Sequence, residues 1–255
     1  MVKMDLNSDL GESFGAYTLG MDEALMEHIT SANVACGWHG GDPQIMQKTA
    51  RLAGGRGVAI GAHPAYPDLL GFGRREMKLS PEEVYAYVLY QIGAMGAMAR
   101  ANGLELQHVK PHGALYNQAC KDKRLAGAIC RAARDYSREL IVLAPYTSAF
   151  REQAELLGQP FAAEFFADRA YLPDGSLVPR SQPGAVIHDA EEACRRVLQM
   201  AQEGTVTCLD GTLLPMRCAS ICVHGDNTAA LAAVQRIRQA LEQAGVQLCP
   251  MRELI

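Results

Sequence analysis

The 255-residue chain has 24 basic and 28 acidic residues, a net charge of −4, and 49% apolar residues. That is enough to bury a sizeable core, and a single domain over residues 1–255 is expected. The charge balance argues against nucleic-acid binding, and no apolar run reaches the roughly 20 residues a membrane helix needs.

The first residues enter a strand without a signal-peptide core, and the eight cysteines form no C-x-x-C pair. Buried thiols in a reduced, cytoplasmic protein are therefore expected, with Cys218 and Cys222 on one face of a single strand.

In chain order, residues 2–7 read as a strand with Asp5, Asn7 and Asp9 in phase on one face. Alone, that stretch reads better as solvated strand-end carboxylates; the recurrence of polar clusters after later strands shifts the balance. Residues 21–30 read as a short helix and 31–36 as a small-residue strand. Asp42 as N-cap and Pro43 at the first helical position open a helix expected to stop at Gly54-Gly55.

A strand over 57–62 leads through His63-Pro64 into a long loop, 65–79. Ser80-Pro81-Glu82-Glu83 is a capping box, and Val84, Val88, Ile92, Met95 and Ala99 follow at helical spacing up to Gly103. A short fourth strand is expected to end before His108. A helix over 121–136 precedes the apolar run 140–143, the pattern of a parallel strand covered on both faces.

Further on, 147–157 reads as a helix, 161–165 as a strand, and 171–183 as a loop or hairpin. Asp189 caps a helix to about residue 202. Residues 205–215, around Asp210-Gly211, read as an inserted β-hairpin. A seventh strand over 220–223 is followed by Asp226, expected to cap the last helix, and 246–248 reads as a short eighth strand. Strand, polar turn and helix repeated in this way predict a (β/α) barrel or a doubly wound sheet.

Polar groups gather after the strands: Asn7, Asp9 and Glu12; His39 and Asp42; His63 and Asp68; Lys110 and His112; Glu164, Asp168 and Arg169; His224 and Asp226. In a barrel those ends converge on one face, where active sites form. Asp9, His39 and His63 are a candidate divalent-metal set, since imidazole and carboxylate suit such ions. Histidines that merely hold substrate by hydrogen bonds are an equal alternative. Lys110 reads either as an anion holder or proton carrier, or as an ion-pair partner of Glu164 or Asp168. No phosphate-cradling G-x-x-x-x-G-K-[ST] loop and no G-x-S-x-G elbow occur.

Taken together, residues 5–12, 32–43, 61–68, 109–117, 166–171, 177–180 and 221–226 resemble the LamB/YcsF family, in the expected order. The one departure is Trp38, where Phe is commoner. The resemblance implies an irregular seven-stranded (β/α) barrel similar to polysaccharide deacetylases. It also implies an ATP-dependent 5-oxoprolinase, opening 5-oxo-L-proline to L-glutamate together with separate B and C subunits.

On that chemistry Asp9, Glu12, Lys110, His112, Glu164 and His224 are candidate catalytic groups. Asn7, Asp168, Arg169, Arg180 and Asp226 are candidate substrate contacts, with Lys110, Arg169 or Arg180 holding the carboxylate. ATP would be used by the complex, and a divalent metal and a homo-oligomer stay open. The rival readings are a metal-dependent deacetylase of an N-acetylated sugar and a non-catalytic binding protein.

Overall fold

The computed structural model describes residues 2–225 and 227–255. Seven parallel strands close on themselves: β1 (Lys3–Leu10), β2 (Ser31–Ala35), β3 (Ala59–His63), β4 (Leu106–Val109), β5 (Ile141–Pro145), β6 (Phe161–Phe166) and β9 (Ser220–Cys222). β9 pairs with both β6 and β1, so Ser220 lies opposite Glu164 on one side and Asp5 on the other. This decides for the barrel over the open sheet.

The inserted hairpin is present as β7 (Thr205–Thr207) and β8 (Leu213–Pro215), and β10 (Gln247–Leu248) adds to the start of β1.

The helices are α1 (Asp22–Leu25), α2 (Pro43–Arg56), α3 (Pro81–Ala101), α4 (Gly113–Ala119), α5 (Lys123–Tyr136), α6 (Ala149–Leu157), α7 (Ala190–Glu203) and α8 (Thr228–Gln243). Their apolar faces pack on the outward side chains of the strands. Val84, Val88, Ile92, Met95 and Ala99 of α3 are all buried there with Leu6, Val34 and Ile60. The Ser80 box is complete: its hydroxyl accepts from the Glu83 amide at 3.2 Å, and the Glu83 carboxylate accepts from the Ser80 amide at 2.7 Å. No described helix is long and apolar enough to cross a membrane.

Several boundaries differ from the sequence reading. β1 runs on to Leu10, so Asp9 lies on the strand. α1 is a single turn, and α2 passes through Gly54-Gly55 to Arg56. His108 and Val109 belong to β4, and α4 is an element the sequence reading lacks. Cys218 lies ahead of β9 rather than in it, and all eight cysteines are free. The last helix is capped by Asn227, whose side chain accepts from the Ala230 amide; Asp226 lies outside the described residues.

The barrel interior is polar. Asp5, Asn7, Asn33, His108 and Ser220 are fully buried and satisfy one another. Ser31 and Ser220 hydroxyls donate to Asp5, the Asn7 amide to Ser220, and the Asn33 amide to Asn7 at 2.8 Å. His108 Nε2 lies 2.6 Å from Asn33 Oδ1. Its ring occupies the space beside Gly61, where a Cβ would fall 2.3 Å from the imidazole, so only glycine fits on β3 at that point. Buried polar groups are tolerated when all are hydrogen-bonded, as here.

Candidate active site

Strand alternation aims Asp5, Asn7 and Asp9 of β1 into the barrel, and Asp9 emerges at the C-terminal mouth. There it meets Lys110, which directly follows β4. Lys110 Nζ lies 3.1 Å from Asp9 Oδ1 and 2.7 Å from Glu164 Oε1, and it also reaches Asn7 Oδ1 and Cys222 Sγ. Only 2% of Lys110 is exposed. Burial alone would push the ammonium down, but Asp9, Cys222 and Glu164 outweigh it and hold Lys110 well above its ordinary value. Burial likewise works against ionised Asp9, yet His63 and Lys110 keep that carboxyl well below the usual range.

These contacts bear on several of the candidate residues. Lys110 is the ion-pair partner of Glu164 and Asp9, the second of the two readings its sequence allowed. Glu164 is 1% exposed, and its second oxygen accepts from Tyr116 at 2.7 Å. Asn7 is used up within the barrel. Arg169 is buried and donates to the Val178 and Ala185 carbonyls, a structural use of its guanidinium. Asp68 closes its own loop on Arg75 rather than facing the mouth. Arg180 remains exposed on the wall of the cleft, with no ion-pair partner among the described residues.

The loops after β1 and β2, the end of β3, and the segment after β4 bring Glu12, His39, His63 and His112 together. Their nearest donor atoms all lie within 4.8 Å of one another. His39 Nε2 is 2.9 Å from Glu12 Oε1, and the His39 and His112 rings stack at 3.7 Å. The carboxylate central to the cluster is Glu12 rather than Asp9, which touches only His63 among the three imidazoles, at 3.3 Å; His112 is the member the metal assignment omitted.

Hydrogen bonding fixes two of the ring tautomers. His63 Nδ1 lies 2.7 Å from the Lys110 carbonyl and His112 Nε2 lies 2.9 Å from the Phe72 carbonyl. Carbonyls only accept, so both nitrogens carry hydrogen. That leaves His63 Nε2 and His112 Nδ1 facing each other at 3.0 Å. Burial, with His39 and His63 nearby, holds His112 well below its usual value, and burial with His63 does the same for His39. The facing His63 and His112 nitrogens, with Glu12 and His39 beside them, form a compact nitrogen and oxygen donor set. Donor types, the carbonyls behind the rings and the buried, unpartnered His39 Nδ1 all fit a divalent ion.

A second group stands opposite. His224, after β9, has Nδ1 2.9 Å from Asp168 Oδ2 and Nε2 3.9 Å from Asp9 Oδ2. Burial disfavours its charge, but Asp168 and Cys222 prevail, and His224 is held well above its ordinary value. Asp168 Oδ2 is a hydrogen-bond partner of His224, and Asp168 also lines the cleft. His63, His112, His224, Asp9, Glu12 and Arg180 line one open cleft of about 1650 Å³.

The class of protein is a closed parallel barrel whose strand ends carry a His/Glu cluster and an Asp–His couple. A peptidoglycan deacetylase from Bacillus subtilis shares the fold: TM-score 0.51 at 14% identity, covering 99% of this chain and 89% of that one. More specifically, the family model of the LamB/YcsF family matches residues 4–255, and the chain belongs to that family.

The 5-oxoprolinase A component from Thermococcus onnurineus is 56% identical over 254 residues, covering 100% of both chains. The crystal structure of a lactam utilization protein from Thermus thermophilus superposes with a TM-score of 0.93 at 49% identity, covering 97% of this chain and 99% of that one.

Proposed function

We propose that this chain is the A component of an ATP-dependent 5-oxoprolinase and carries the step that opens the lactam of 5-oxo-L-proline to L-glutamate. The observation that carries this is the convergence of the Glu12/His39/His63/His112 cluster and the Asp168–His224 couple on one cleft. Full-length identity above one half to a 5-oxoprolinase A component supports the same reading.

A lactam resists hydrolysis because its amide is resonance-stabilised and its amine is a poor leaving group. The Asp168-oriented His224 is charged near neutral pH and can give its Nε2 proton to the departing ring nitrogen as general acid. Asp9 is the carboxylate at the mouth outside the metal set, and it can take a proton from the attacking water. Arg180 is the cation left to hold the substrate carboxylate. Glu12, His39, His63 and His112 would hold a divalent metal, which when bound supplies polarisation of a carbonyl oxygen or of water.

ATP enters through the complex, since the sequence has no phosphate-cradling loop, and B and C subunits would supply that site. Eight unpaired cysteines suit a reducing, cytoplasmic setting.

The test is His224→Gln in a complex reconstituted with B and C subunits. Glutamate formation should fall roughly 10²–10⁴-fold, the usual contribution of a general acid, with assembly unchanged. Turnover within a few-fold of wild type would refute the assignment.

A further inference from the structure

Phe72 is the only non-glycine residue with a left-handed backbone among those described, at φ +54°. An aromatic residue is held there only when its surroundings over-determine it, and such strain gathers at functional sites. The surroundings are a knot around Asp68. This carboxylate is 2% exposed and accepts from the Gly71 amide at 2.9 Å, the Arg75 amide at 3.2 Å and Arg75 Nε at 2.8 Å, with the Arg75 terminal nitrogen also in contact. The Asp68 carbonyl takes the Gly73 amide at 2.8 Å, and Leu69 and Gly71 carbonyls take those of Phe72 and Arg74.

The inward contacts of this loop include His39, His112 and the start of α4. The Phe72 carbonyl receives His112 Nε2, and the Phe72 ring stands edge-on to His39 at 5.4 Å and to His112 at 5.2 Å. Gly73 lies against the His112 ring and the stem of His39: a Cβ there would come within 2.9 Å of His112 Cδ2 and 2.8 Å of His39 Cβ, and its φ is +64°. Its carbonyl receives the Ala114 amide, which ties down the start of α4 directly after His112.

We propose that the 68–75 loop is a positioning clamp, anchored by Asp68 and Arg75, that fixes His112 as the Nε2–H tautomer and holds its Nδ1 toward the cluster. Asp68 touches neither the cluster nor the Asp168–His224 couple, so it acts only through Phe72 and Gly73. The functional consequence rests on the metal reading above: a ligand histidine whose outer nitrogen is held by a carbonyl binds metal in a preset orientation.

The test uses the full chain with two readouts: the His112 tautomer from long-range ¹H–¹⁵N imidazole correlation without metal, and Zn²⁺ affinity by competition with a chromophoric chelator. Wild type should show Nε2–H. Asp68→Ala should give a tautomer mixture and Zn²⁺ binding weakened about 10–100-fold. Phe72→Gly, which permits the same backbone, should keep the tautomer. Arg75→Met, at a side chain 65% exposed, covers the case in which Asp68→Ala does not fold, and should shift both readouts in the same direction by several-fold.

A purely structural loop would lower the melting temperature of these variants while leaving tautomer and affinity at wild-type values, and that result would overturn the clamp. Failure of wild type to bind Zn²⁺ would count against the metal reading alone, because the tautomer is read without metal.

Discussion

Replacing Lys110 with Met keeps the stem and removes the charge. The ammonium sits 2.7 Å from Glu164 and 3.1 Å from Asp9. At an effective dielectric constant of about 20, each contact is a gross attraction of roughly 5–6 kcal/mol. Desolvating all three groups cancels most of it, so the pair is not a net gain of that size. The substitution, however, strands the Glu164 carboxylate inside the barrel with no counter-charge. Breaking a buried pair in this way costs about 3–5 kcal/mol.

For a chain of this size each kcal/mol lowers Tm by roughly 2–4 °C, so Lys110→Met should melt about 6–20 °C below wild type by calorimetry. Adding Glu164→Gln should recover a substantial part of the loss, because the stranded charge is then gone. A Lys110→Met variant within about 1 kcal/mol of wild type in urea denaturation would refute the reasoning, since a loss that small is typical of exposed pairs.

Asp5 is fully buried, and burial pushes its carboxyl up to about 6 despite bonds from Ser220, Ser31 and Thr30. The fold therefore favours the protonated form. The contribution of Asp5 is largest below about pH 4 and falls as the pH rises through 6, by about 3 kcal/mol in full; urea titrations should show the advantage of Asp5→Asn over wild type growing by about 2 kcal/mol between pH 4 and pH 6.5. Ser80→Ala removes the hydroxyl of the α3 capping box and should cost about 1 kcal/mol in the same assay. The purified chain without B and C subunits should release no phosphate from ATP, and steady ATPase activity in it would contradict the absence of a nucleotide site here.

The barrel was legible because its punctuation is local. Asp42-Pro43 and Ser80-Pro81 start helices wherever they occur, and β5 reads as an apolar run. What escaped is specified by tertiary contacts. α4 has no side-chain cap; the amide of its second residue, Ala114, is satisfied by the Gly73 carbonyl from the loop ahead of α3. β1 runs past Asn7 because Asp9 is received by Lys110 and His63 from other strands, partners that a local reading of one polar strand cannot see. His108 gave no signal because its partner, Asn33, and the space beside Gly61 belong to different strands.

The convergence of histidines on one mouth could be argued from strand ends. The choice of Glu12 over Asp9 could not, since it depends on loop geometry that places His39 against one carboxylate and His63 near the other. Lys110 shows the same limit: an anchor for substrate and a buried ion pair look alike until Glu164 is placed beside it.

The most direct measurement is single-turnover glutamate formation from 5-oxo-L-proline and ATP by the complex reconstituted with a His112→Asn chain. If the cluster carries ring opening, the rate should fall at least about 100-fold, within the range for loss of a group acting on the transition state, while the variant folds and assembles as wild type does. A folded, assembled complex that still forms glutamate at the wild-type rate would show that ring opening takes place elsewhere.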